Sequence, residues 1–177
     1  MVKKLTKFLA YSLFFLFALA LFVPKERFYF LLEKNLKKFD VIISNEELIS
    51  RVDALEISNL EVTTKGIDSA IIKEAEVKLL FFYNSLVLEG IELSSLVEAY
   101  IPSKMQSVAL RYSLLHPLEI EMQGIGEFGD FYGTFHLQTR DLELRVHPSK
   151  KMIRSYKKTM RLLKKSENGE YTYAKTF

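Results

Sequence analysis

The sequence predicts a mainly β protein: an N-terminal transmembrane helix, then a curved antiparallel β-sheet of half-barrel or taco-like form, with a short helix before it and a basic helix near the C-terminus. Three observations predict this. Residues 8–23 carry no charge. Beyond Asp40 apolar and polar side chains alternate with a period of two, as they do in strands with one dry and one wet face. Finally, LEISNLEV at 55–62 and LVLEGIEL at 86–93 both place apolar residues at their first, third, sixth and eighth positions, so each run changes parity in its middle.

The chain has 177 residues, enough for one folded body and an attachment. It has no cysteine and no tryptophan, which excludes a disulfide framework and a thiolate metal site. The net charge of +3 comes from Lys3, Lys4 and Lys7. After them, residues 24–149 are acidic, with 13 bases against 20 acids, and residues 150–177 are basic, with 9 bases against 2 acids.

Residues 1–23 are expected to form a cytoplasmic tip and a transmembrane anchor. From Leu5 to Val23 a helix would be roughly 28 Å long, close to the hydrocarbon thickness, and Lys7 can snorkel to the headgroups. The run continues through Leu21, Phe22 and Val23, which favours an uncleaved anchor over a signal peptide cut near Ala18-Leu19-Ala20. The positive-inside rule then puts the N-terminus in the cytoplasm and everything after Pro24 across a bacterial inner membrane, in the periplasm. In residues 24–40, Phe28, Leu32, Leu36 and Phe39 recur at helical spacing among lysines, predicting an amphipathic helix that lies at the interface or docks on the sheet.

Residues 41–177 are expected to form the periplasmic β-rich domain. Short turn signals and the lack of helical crossovers predict hairpin connections. A parity change within a strand is what a β-bulge produces, and Asn59 and Gly90 suit the backbone it needs. Two bulges, with a third slip between Leu137 and Leu142, predict a bent sheet; two short strands meeting at a turn is the other reading of each octet. After Pro148, Ser149 suits an N-cap. The stretch KKMIRSYKKTMRLLKK then predicts a basic helix over 150–165, ended by Asn168-Gly169 and followed by a terminal strand around Tyr171 and Tyr173.

No constellation in the sequence points to catalysis. Gly124, Gly126 and Gly129 match G-x-G-x-x-G, but an alternating strand pattern follows where a dinucleotide site needs a helix, so they read as hairpin and bend glycines. His116, His136 and His147 lack metal-ligand spacing, and no serine sits in a nucleophile elbow. A non-enzyme without metal or cofactor is expected. Two features remain. Phe81, Tyr112, Phe131 and Phe135 are candidates to line an apolar groove, although core packing is the more ordinary account of aromatics in a sheet. Lys150, Lys151, Arg154, Lys157, Lys158, Arg161, Lys164 and Lys165 form a candidate basic surface for an anionic partner, or a counterweight to the acidic sheet.

The order of parts, one span, a helix after a proline, then LEISNLEV, AEVKLLF, LVLEGIEL and a late DLELRV, resembles the type II secretion system protein N family and its AsmA-like relatives. The resemblance implies a half-pipe of antiparallel strands hanging from an inner-membrane anchor. It implies a non-enzymatic envelope component that serves assembly or scaffolding in protein secretion, or else lipid or lipopolysaccharide transport along an apolar groove. The implied partners are the membrane, other envelope or secretion proteins and lipid, but not nucleic acid.

Overall fold

The computed structural model describes residues 2–21, 24–80, 82–166 and 170–177. Its first helix, α1, runs Val2–Leu21. Among the described residues no helix is long and apolar enough to cross a membrane. The expected anchor and single-pass inner-membrane placement are therefore corrected. Lys3, Lys4 and Lys7 fall inside the helix, so its uncharged part, from Phe8 to Leu21, is about 21 Å long against the ~30 Å of a hydrocarbon core. Phe22 and Val23, which the expected span included, lie outside the described residues.

Pro24 has no N–H to donate, and helix α2 begins just after it, over Lys25–Leu36. A 3-10 turn, Lys37–Phe39, follows, and Asp40 in the left-handed conformation stops the helix. The helix docks on the sheet through Tyr29, which is buried in the main core. Its first residue, Lys25, is also buried and donates from Nζ to the Val52 carbonyl at 2.7 Å.

All strands belong to one open antiparallel sheet. Strands β1 (Val41–Ser44) and β2 (Glu47–Ser50) both pair with β3 (Leu55–Thr64) and share its outer edge. Consecutive hairpins then add β4 (Ile67–Leu79), β5 (Tyr83–Leu93), β6 (Lys104–Ser113), β7 (Glu119–Gly126), β8 (Gly129–His136) and β9 (Asp141–Pro148), with a short helix α3 (Ser95–Glu98) between β5 and β6. Helices α4 (Lys150–Ser155) and α5 (Lys157–Met160) and the two-residue β10 (Lys164–Lys165) lead to β11 (Tyr171–Thr176), which pairs with β9.

The parity change has a more specific cause than the isolated bulges expected from the sequence. Neither the β3/β4 nor the β4/β5 pairing slips at Asn59, Lys73 or Gly90: Ser58 faces Glu74 and Leu60 faces Ile72, and Ile72 in turn faces Ile91 while Glu74 faces Glu89. Each strand carries its extra residue in the same row, so the sheet has a crease that neighbouring strands share. Strand β4 repeats the spacing of the two octets with Ala70, Ile72, Ala75 and Val77. The crease reaches β6 at Gln106, where the register against β7 shifts between Met105 and Ser107; a separate shift, between Val62 and Thr63, lies near the end of the β3/β4 pairing. Asn59 and Gly90 absorb the crease with φ of 57° and 63°. Apolar residues from both sides of the crease then meet in one cluster, Leu55, Ile57, Leu60, Ile72, Ala75 and Ile91, against Tyr29.

Two further expectations are corrected. The slip between Leu137 and Leu142 is the β8–β9 hairpin turn, with Arg140 in the left-handed region. The basic stretch is not one helix. Ser149 does cap α4, accepting a bond from the Met152 N–H, but Tyr156 leaves helical geometry at φ −112°, ψ 47°, and α5 ends at Met160. Lys164 and Lys165 lie in β10, and Asn168-Gly169 falls outside the described residues.

Candidate functional site

The pairing of β6 to β9 and β11 sets three cross-strand rows on the apolar side of the sheet. One is Tyr112–Ile120–Phe135–Leu142; the next is Leu110–Met122–Gly133–Leu144–Tyr173; the third is Val108–Gly124–Phe131–Val146–Tyr171. Tyr112, Phe131 and Phe135, three of the four candidate groove residues, thus come to one face; Phe81 lies outside the described residues. Two glycines let the large side chains lie down on the sheet. A Cβ on Gly124 would stand 2.3 Å from the Phe131 ring, and one on Gly133 would stand 2.3 Å from Leu144 Cδ2. Phe131 also meets Phe128 at 5.8 Å, and Phe135 meets Phe177 at 6.3 Å.

Apart from the buried Gly124 these rows are half-buried, whereas the β3–β5 half contains the fully buried cluster. The difference follows from what lies on each half. Helix α2 and the β1–β2 edge pack against the first. On the second, α4 reaches the end of β9, and Met152 and Phe128 are buried there.

The opposite face is polar. A concavity of about 530 Å³ there is lined by Arg111, Glu121, Gln123, Tyr132, Glu143 and Arg145, among others, with Arg111 donating to Gln123 at 3.2 Å. Further along, Glu56, Glu74, Glu76 and Glu89 line a second of about 380 Å³. Arg51 pairs with Glu56 and Lys78 with Glu76, which is the usual content of a solvated sheet face. Among the described residues no three His, Asp or Glu side chains are placed to hold a metal ion.

The histidines are separated. His136, at the end of β8, lies 3.6 Å from Glu119. His147 is bracketed on neighbouring strands: its Nδ1 is 2.8 Å from Asp130, and its Nε2 is 3.6 Å from Glu170. Hydrogen bonds to Asp130 first and Glu170 second hold His147 above its ordinary pKa. Sequence reasoning missed this trio. Its one signal is the cross-strand register that sets Asp130 opposite His147.

The eight candidate bases do not share a single helical stripe. Lys151 reaches across to Glu127 at 2.5 Å, a contact that raises its pKa. Lys165 lies over the Tyr171 ring at 6.0 Å, and the Lys164 carbonyl accepts from Thr172. Lys150, Arg154, Lys157, Lys158 and Arg161 lie on exposed positions of α4, α5 and the turn after them. No family model, curated protein or solved structure matches the chain.

Proposed function

We propose that the protein is a non-enzymatic binding module that holds an acyl chain or similarly slender apolar ligand against the face of β6–β9 and β11. The observation that carries this reading is the unequal burial of one continuous apolar face, sealed over β3–β5 and half-buried beyond β6. A half-buried row of Met, Phe, Leu and Tyr gains by covering: each side chain fully removed from water contributes about 1.5–3 kcal/mol. Unbranched alkyl chains suit this face because Phe131 and Leu144 lie flat over glycines and present a low apolar surface.

The test is native mass spectrometry of the purified full chain together with titration of a fluorescent fatty acid. Saturable binding is expected, and Phe135→Asp and Met122→Gln should weaken it about tenfold while leaving the fold intact by circular dichroism. No bound lipid and no saturable fluorescence change would sink the reading.

A second reading, the assembly or scaffold role that the resemblance to the secretion protein N family implies, is favoured by the edge of β11. The Phe177 N–H bonds back toward β9, so alternation turns Ala174 and Thr176 outward, while the β10 pairing ends at Thr172. That leaves a short stretch of edge for a partner strand. Proline at position 174, which cannot donate to such a strand, would abolish capture of a protein partner without changing fatty-acid binding.

A further inference from the structure

At one end of the sheet every turn carries an exposed apolar side chain at its tip. Val52 lies between β2 and β3, Phe82 between β4 and β5, Leu115 and Leu118 between β6 and β7, Leu137 between β8 and β9, and Phe177 just beyond β11. These side chains are 41 to 87% exposed. Backbone bonds join successive tips into a rim: Leu114 N–H to the Phe82 carbonyl at 3.1 Å, Leu137 to Leu118 at 2.8 Å, and Phe177 to Arg140 at 3.1 Å. Turns ordinarily carry Gly, Asn, Asp and Ser and face water. The opposite end also exposes Phe39, Leu96, Tyr100 and Leu162, but sets them among Lys65-Gly66, an ion-paired Glu127 and the basic segment.

We infer that this rim rests in the interfacial zone of a lipid bilayer, as a peripheral contact made by side chains of the turn tips. Three features select lipid over a protein partner. The tips are spread over roughly 30 Å at about 4.8 Å per strand, a span over which a protein would need a matching series of pockets and a bilayer needs none. Of the carboxylates close to the rim, Glu119 pairs with His136 and Asp141 accepts from Thr176, while Asp53, exposed beside Val52, acts through its charge on Lys78. The chain also enters the body at this end, since Lys25 is bonded to the Val52 carbonyl, and the preceding helix α1 exposes Phe8, Leu9, Phe14 and Phe15. Both apolar features are therefore supplied from one end of the sheet, which leaves the charged end in water.

The chain lacks cysteine, so Leu115→Cys and Leu118→Cys each give a single site for an environment-sensitive fluorophore, and Leu96→Cys, near the other end, serves as control. The full chain is mixed with vesicles of phosphatidylcholine containing phosphatidylglycerol, with and without brominated acyl chains. A blue shift and bromine quenching are expected at 115 and 118 and neither at 96, and Leu115→Asp with Leu118→Asp should lower vesicle partitioning about tenfold or more. Equal quenching at all three sites, or none at the rim while the chain sediments with vesicles, overturns the inference. So does failure to bind vesicles. A blue shift without vesicles that grows with protein concentration would assign the rim to a second copy of the chain instead. None of these readouts depends on an acyl ligand bound to the sheet face.

Discussion

At the scale of single residues, the conformational demands of this chain fall on a few positions. Gly129 has a φ of 117°, and a Cβ there would stand 2.0 Å from the His147 carbonyl oxygen. Gly129→Ala must therefore move the backbone of β9 as well as strain its own. The expected cost is roughly 3 kcal/mol or more, read as a lower urea midpoint at unchanged m-value. His147 couples its charge to folding. Its pKa is raised in the folded state by Asp130 and Glu170, so the imidazolium favours folding below the unfolded value of about 6.5 and loses that advantage as pH rises through the raised value. The difference in melting temperature between the native chain and His147→Gln should be larger at about pH 5.5 than at about pH 8.5; a gap that widens with pH would contradict the bracketing. Tyr29 marks a different demand. Its hydroxyl is buried without a well-formed hydrogen bond, and burial first, then Glu46, push its pKa up, so it stays neutral.

At the scale of elements, the crease makes each central strand present one face before it and the other after it. Ile57 and Ile71 test this. Ile57 is 3% exposed and belongs to the core cluster, whereas Ile71 is 52% exposed on the other face. Ile57→Asp should cost several kcal/mol, roughly 3–5, because a carboxylate would be buried without a partner. Ile71→Asp should change stability by less than about 0.5 kcal/mol. Equal melting temperatures for the two variants would refute the face assignment. The parity change was legible in β3 and β5 because Leu, Ile and Val mark their apolar positions. It was obscured in β4, where Ala70 and Ala75 are too small to stand out, so a feature shared by neighbouring strands read as two separate bulges. The basic segment misled in the opposite way. Its apolar spacing suits a helix, but the Thr159 hydroxyl is drawn to the Tyr100 carbonyl at 2.5 Å, a contact 59 positions away in sequence, and the chain breaks at Tyr156.

At the scale of the whole molecule, one sheet has two regimes of packing. Native-state hydrogen exchange should show the slowest amides in β3 to β5, where the core is sealed, and faster exchange in β7 to β9, where the apolar face is half-buried. The reverse order would mean that the second half is the true core. Addition of an acyl ligand should slow exchange in β7 to β9 selectively. The Asp130–His147–Glu170 trio and the apolar rim also belong to this scale. The trio joins two strands and the residue before a third, and the rim joins turns from Val52 to Phe177, so neither leaves a pattern in any local window of sequence.

The sequence by itself determined the alternation of wet and dry faces, the hairpin order and the place of the helix after Pro24, because these depend on neighbours one to four residues apart. The tertiary structure alone decided that the parity changes align into one crease, which half of the apolar face is sealed, where the basic segment breaks, and that among the described residues no helix is long and apolar enough to cross a membrane. Those outcomes depend on register between strands and on where helices start, stop and dock, and are set by contacts across tens of residues.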